Sequence, residues 1–246
     1  MSLREDFEQS GIWLFRWRSY LPLALIGILL ISLHDFDYLF HSKIVDQIWE
    51  MVCLLVSVLG LSIRIITIGH IPKRTSGKNT KQQVADSLNT TGIYSLVRHP
   101  LYLGNFFIGL GVALFPGFWW LVIIYILSFW LYYERIMFAE EAFLRNKFGN
   151  QYEEWANKIP TFCPKFKNYV PPSLPFSWKT VLKRESNSFF SLILVMFGLE
   201  EVSELLLNGK LEFDLQWIII VSVSIFIWII LRIIKKKTKW LEVDGR

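Results

Sequence analysis

The fold turns on residues 101–133, LYLGNFFIGLGVALFPGFWWLVIIYILSFWLYY, a run without Asp, Glu, Lys or Arg that is broken near its middle by Pro116-Gly117. A hydrocarbon core of about 30 Å takes about 20 mostly apolar helical residues. A run this long, interrupted by a turn-forming pair, therefore reads as two membrane helices joined in a hairpin. Working outward, further apolar runs fall at about residues 20–33, 48–68, 188–206 and 215–234, with Trp13 to Tyr20 as an interfacial lead-in. The expectation is an all-α, polytopic integral membrane protein of about six transmembrane helices.

Composition agrees. Of 246 residues, 53% are hydrophobic and only 19% charged, where a soluble chain runs nearer a quarter charged. Disorder is excluded because it needs low hydrophobicity and high charge. Two cysteines cannot staple a chain of this length. No cleavable signal peptide is visible: residues 1–10 are polar and acidic, and no small-residue cleavage site follows the first apolar run.

Charge placement gives orientation. Of the 26 lysines and arginines, 23 fall before the first run, between the second and third, between the fourth and fifth, or at the end of the chain. The other side holds Lys43 and Lys210, and Arg64 lies inside the second run. The positive-inside rule then puts both termini and the basic segments in the cytoplasm, at the inner membrane if the source is bacterial. Acidic residues 35, 37, 46, 200, 201, 204, 212 and 214 read as outer-loop charges. The net charge of +5 is thus topology, not a nucleic-acid footprint. Trp13, Trp17, Trp49, Trp119, Trp120 and Trp217 fall near the ends of these runs, where amphipathic rings settle.

The chemistry gathers on the basic side. Residues 98–105 read RHPLYLGN. Pro100 suits the first turn of a helix, which places Arg98 and His99 beside a helix N-terminus whose free N–H groups favour an anion. Gly104 and Gly111 share one stripe, with Gly109 nearby, where another helix or a flat ligand can approach closely. The returning helix continues past the membrane through Arg135 and the Glu140-Glu141 pair to residues 148–160, FGNQYEEWANKIP. Counting from the hinge, Glu140 lies about 13 Å beyond the level of Tyr102, so the two polar clusters are expected to bracket a gap that an extended small molecule can span.

Alone, Arg98-His99 would be an interfacial anchor, the glycines helix-packing residues and Glu140-Glu141 a solvated helix face. Arg64 is either a ligand partner or a snorkelling cation. The stretch 74–80, RTSGKNT, is either a phosphate-friendly loop or an ordinary polar one. No metal site is expected.

In order and spacing, RHPLYLG (98–104), the glycines at 109 and 111, Glu140-Glu141 and FGNQYEEWANKIP resemble the isoprenylcysteine carboxyl methyltransferase-like superfamily of membrane methyltransferases, which includes phospholipid methyltransferases. The resemblance covers about residues 63–164. It implies S-adenosylmethionine as methyl donor at the cytoplasmic face, and a lipid or lipid-modified acceptor entering from the bilayer. Carried onto this chain, the cofactor-binding residues are Arg98, His99, Pro100, Tyr102, Gly104, Glu140 and Glu141. The catalytic residues are Arg135 and Glu140. The acceptor the resemblance implies is a prenylated cysteine carboxylate, while the RTSGKNT stretch and the basic segments after residue 164 make a lipid phosphate, such as that of lipid A, the other candidate.

On this reading the chain divides into an N-terminal two-span region (1–70), a methyltransferase core (71–164) and a C-terminal two-span extension (165–246). The extension's basic segments help bind an anionic lipid or only fix topology. A nicotinamide-dependent sterol-type reductase and a non-enzymatic transport or structural protein are the competing readings.

Overall fold

The computed structural model describes residues 3–18, 20–75, 83–211 and 213–246. Among the described residues eight α-helices follow one another: α1 (Leu3–Trp17), α2 (Leu21–Ser32), α3 (Lys43–Gly69), α4 (Pro100–Leu114), α5 (Trp119–Phe148), α6 (Asn150–Ala156), α7 (Trp178–Asn208) and α8 (Leu215–Lys237). Among the described residues there is no strand, only an isolated antiparallel bridge between Gly92 and Val170. Three helices, α3, α5 and α8, are long and apolar enough to cross a membrane by length and composition. The apolar helices α2 and α4 are shorter, about 18 and 22 Å at 1.5 Å per residue.

The hairpin at Pro116-Gly117 forms as the sequence dictates, Gly117 taking the positive φ of 74° that the turn requires. Helix α4 then lies along α3 at backbone-contact distance. A methyl group at Gly60 would stand 2.6 Å from the Ile108 nitrogen, and one at Gly104 would stand 2.8 Å from the Gly60 carbonyl oxygen. Ser57 Oγ donates to the Ile108 carbonyl at 2.9 Å and Trp49 Nε1 to that of Leu114 at 3.0 Å, fixing the register. Gly111 faces Ser57 and Cys53, and Gly109 faces the ring of Tyr125. All three glycines of the stripe are spent on packing.

Three expectations need correction. Residues 3–17 form a full helix, α1, seated on the far end of α5. Phe7 meets Phe138 edge-on at 6.0 Å, and Tyr132 donates its hydroxyl hydrogen to the Leu14 carbonyl at 3.0 Å. The extension of α5 is not continuous to residue 159; it stops at Gly149, whose φ of 52° suits glycine, and restarts as α6. Four of the acidic residues assigned to outer loops are buried in helices, Asp46 on α3 and Glu200, Glu201 and Glu204 on α7, as is Glu50 on α3, while Asp35 and Asp37 are exposed. Glu204 is held by Lys43 at 3.1 Å and by the Tyr38 hydroxyl at 3.1 Å, and Glu50 accepts from Trp217 Nε1 at 3.3 Å.

The apolar core at this acidic end joins Leu33, Cys53, Phe115, Met196, Leu199 and Trp217, from both hairpin and extension. The three sequence segments therefore interleave: α1 packs on α5, and α7 packs on α3.

Candidate functional site

Immediately before α4, Arg98 and His99 leave helical geometry, with His99 at φ −121° and ψ 62°. Leaving the helix adds only about 2 Å per residue, so the long side chains do most of the reaching, and the two clusters meet where a gap of about 13 Å was expected. His99 Nε2 lies 3.0 Å from Glu141 Oε1, and Nδ1 lies 3.6 Å from Glu140 Oε2. Arg98 donates through Nη1 to Glu141 Oε2 at 2.7 Å, and through Nη2 to the Thr161 hydroxyl. Below them, Tyr102 stacks on His99 at 5.6 Å and meets Tyr133 at 4.9 Å.

The segment after α6 closes the cluster. Arg98 donates its backbone N–H to Pro160 at 2.9 Å, Lys165 donates to Leu96 at 2.9 Å, and Trp155 Nε1 reaches the Tyr94 carbonyl at 3.3 Å. This is why RHP and FGNQYEEWANKIP, half a hundred residues apart, behave as one unit. His99 is buried. Burial opposes its positive charge, but hydrogen bonds and charges from Glu140 and Glu141 outweigh it, so its pKa is raised above 6.5.

Beside this cluster opens a polar chamber of about 590 Å³, within the range of small-molecule sites. Arg98, His99, Pro100, Tyr102 and Glu140 line it. Glu141 stands behind the wall, as counter-charge to Arg98 and His99. Gly104 is not on the chamber; it makes room for Arg64 and α3. Nor is Arg135 brought to the chamber. Five helical residues turn a side chain about 140°, so Arg135 points away from Glu140, and its guanidinium lies 5.4 Å from the Phe7 ring centroid. The catalytic pair expected from the sequence, Arg135 with Glu140, does not assemble.

Sequence reasoning missed several chamber residues. Arg18 comes from the α1–α2 turn, Gln83 from the polar loop, Tyr133 from α5, Tyr152 and Trp155 from α6, and Arg184 with Glu185 from α7. Tyr152 stood inside a quoted motif and could have been found; the α7 residues carried no local signal. Residues 76–80 of RTSGKNT lie outside the described residues, while Arg74 and Thr75 line the chamber. Among the described residues, three on the chamber hold buried polar atoms without a well-formed hydrogen bond: Gln83 Nε2, Arg98 Nε and the Tyr152 hydroxyl. Buried polar groups are nearly always satisfied, so this wall is built for a polar occupant.

A second cavity of about 350 Å³, mostly apolar, lies between α2, α4, α5 and α7. It shares Arg64, Asn105 and Ser188 with the chamber.

Fold and site together define an all-helical membrane protein with a polar chamber adjoining an apolar slot. Residues 48–151 match the family model of phospholipid methyltransferases. The chain is 36% identical over 77 residues to the protein-S-isoprenylcysteine O-methyltransferase of Schizosaccharomyces pombe, covering 31% of this chain and 33% of that protein. The enzyme of the same name from Saccharomyces cerevisiae is 34% identical over 115 residues, 46% of this chain and 47% of that protein. The cobalt-zinc-cadmium resistance protein CzcN of Cupriavidus metallidurans is 31% identical over 132 residues, 52% of this chain and 57% of that protein. The chain thus spans from a third to somewhat over half the length of these curated relatives. No solved structure matches. This stretch is similar to the isoprenylcysteine O-methyltransferases and matches the phospholipid methyltransferase family, and its apolar helices mark the chain as an integral membrane protein.

Proposed function

We propose that the protein is an S-adenosylmethionine-dependent O-methyltransferase that methylates a lipidic anion, a lipid phosphate such as that of lipid A or a prenylcysteine carboxylate. The reading includes six membrane crossings, α2, α4 and α7 completing the set, with the chamber and both termini on the cytoplasmic side. The observation that carries it is the set of three unsatisfied polar atoms around a chamber that adjoins an apolar slot.

Arg98 Nε and Gln83 Nε2 are donors suited to a carboxylate or to ring nitrogens, and Glu140 suits an ammonium group or ribose hydroxyls. Tyr102 and Trp155 offer aromatic faces. Bound there, S-adenosylmethionine would supply an electrophilic methyl group for in-line transfer to an acceptor oxygen. His99 and Glu141 keep Arg98 and Glu140 in place, and the closely packed α3–α4 pair shields the centre from water.

Charge supports an anionic acceptor. Among the described residues, six lysines and arginines line the chamber, against Glu140 and Glu185 on its wall and Glu141 and Asp86 paired to Arg98 and Arg74 from behind it. The cofactor is itself a net cation, so this excess serves the other substrate. A phosphate or carboxylate oxygen attacks without first losing a proton, and therefore asks no strong base of the site.

The test is calorimetric titration of the purified protein with S-adenosylmethionine, and separately with NADPH, followed by mass spectrometry of lipids from cells with and without the gene. Saturable binding of the first ligand and one added methyl on an anionic lipid are expected. NADPH binding instead would move the protein to the reductase class; binding of neither would remove the enzyme reading.

A further inference from the structure

Helix α7 begins beyond the matched residues, yet it reaches the centre of the site. Glu185 on α7 takes Arg64 of α3 in a two-pronged pair, Nε donating to Oε2 at 2.8 Å and Nη2 to Oε1 at 2.7 Å. Arg64 Nη1 donates to Asn105 Oδ1 at 2.5 Å, and Asn105 Nδ2 donates to the Tyr133 hydroxyl at 3.2 Å. Both charged side chains are largely withdrawn from solvent, 17% and 5% exposed. Gly104 makes this placement possible, since a methyl group there would stand 3.2 Å from Arg64 Cδ and closer still to Cγ.

Position gives the pair its meaning. Arg64, Asn105 and Ser188 belong to the walls of both chamber and slot. Beyond them the slot is lined mainly by aliphatic side chains such as Leu29, Ile108, Leu121, Leu192 and Val195. A molecule reaching from slot to chamber passes the Arg64 guanidinium. Removing two charges from water is costly, and apolar residues would join α3 to α7 at least as well. A fork-shaped cation held rigidly by a carboxylate is instead suited to orienting an oxyanion.

We propose that Glu185 is a positioning residue that sets acceptor choice. It holds Arg64 at the doorway, so that the guanidinium meets the anionic head of a single-chain amphiphile whose tail occupies the slot. The proposal rests on the methyltransferase reading for the purpose of the chamber. It gives the C-terminal extension a place in the site itself, where the sequence offered only headgroup binding or topology. Without the Glu185 carboxylate, Arg64 would keep only Asn105, and its long side chain would turn toward the wetter chamber.

The experiment uses full-length protein in micelles of a neutral detergent. Calorimetry measures two single-chain anions, dodecyl phosphate and S-farnesyl-N-acetylcysteine, with dodecanol as neutral control, and S-adenosylmethionine separately. The variants are Glu185→Gln, Glu185→Asp, Arg64→Gln and the double Gln variant. Both anions should bind the wild type and lose about tenfold or more in affinity in Glu185→Gln. The aspartate variant should recover part of the loss, the double variant should be no worse than Arg64→Gln, dodecanol affinity should stay within about twofold, and S-adenosylmethionine affinity should fall less than that of either anion.

Unchanged anion binding in Glu185→Gln overturns the proposal, as does an equal loss for dodecanol or S-adenosylmethionine, which would mark a structural role. Failure of the wild type to bind either anion overturns it too. If S-adenosylmethionine fails to bind the wild type while the anion pattern holds, the methyltransferase reading falls and the doorway assignment stands. Circular dichroism, with Glu185→Asp as the conservative variant, separates loss of fold from loss of binding.

Discussion

His99 holds Glu141 through Nε2 at 3.0 Å, although 42 residues separate them along the chain. The contact ties the last residue before α4 to the distal part of α5. Arg98 uses the other oxygen of the same carboxylate, at 2.7 Å. One acid thus serves two cations, while Glu140 is left to face the chamber.

The two neighbouring glutamates should therefore behave differently. Glu141→Gln strips the counter-charge from two largely buried cations, and should cost about 3 kcal/mol of stability together with cofactor affinity. Glu140 is more exposed and its contact with His99 is longer, 3.6 Å. Glu140→Gln should leave the thermal midpoint near the wild-type value while weakening S-adenosylmethionine binding about tenfold. Thermal unfolding and calorimetry on the two variants check this. Equal destabilisation by both would show that Glu140 is also a structural counter-charge.

The raised pKa of His99 carries a pH dependence with a definite sign. Because the folded-state value exceeds the unfolded one of about 6.5, the stabilisation is fully present below that pH. It is lost as pH rises through the folded value. The thermal midpoint should fall as the buffer is taken upward from about pH 6.5. His99→Gln should flatten that part of the curve. Parallel curves for wild type and variant would show that the histidine's charge is not linked to folding.

The membrane class and the hairpin were legible from residues 101–133 because length without charge and a Pro-Gly break are local signals. The same holds for Arg98, His99 and Glu140, which sit in short motifs and do line the chamber. What escaped depends on contacts between distant segments. The resemblance implied a catalytic Arg135 beside Glu140, but five residues on a helix place it against α1. Glu185 lies on a helix that no motif marks, and its partner Arg64 is 121 residues away. The glutamates of α7 read as loop charges because nothing local shows that Lys43, Tyr38 and Asn208 converge on Glu204.

The approach of α3 and α4 should tolerate no added side chain. An alanine at Gly60 would press on the Ile108 nitrogen, at 2.6 Å from its Cβ, and one at Gly104 would press on Arg64 and the Gly60 carbonyl. Backbone cannot yield as a flexible side chain does, so each alanine should cost about 1–3 kcal/mol. The two differ in function. Gly104→Ala displaces Arg64 and should weaken binding of an anionic amphiphile more than Gly60→Ala does at matched stability. Gly209→Ala, at a helix end with φ 66° and open space around it, serves as a control for strain without a clash. Calorimetry with dodecyl phosphate alongside thermal unfolding makes the comparison, and equal losses of binding in the Gly60 and Gly104 variants would count against a role for Arg64.

Tyr152 gives the sharpest separation of binding from folding. Its side chain is fully buried and lines the chamber, and among the described residues its hydroxyl makes no well-formed hydrogen bond, although Arg98 and Glu141 stand close by. A buried hydroxyl without a partner costs stability, so Tyr152→Phe should raise the unfolding free energy by about 1 kcal/mol. If the hydroxyl is reserved for the ligand, the same change should remove one hydrogen bond from the complex and weaken S-adenosylmethionine binding about tenfold. The two effects have opposite signs, which a general loosening of the site cannot produce. Thermal unfolding without ligand and titration with S-adenosylmethionine, on the same preparation, would show both. A variant that is stabilised and binds as tightly as wild type would place the ligand elsewhere in the chamber; one that is destabilised would mean that the hydroxyl is satisfied inside the fold.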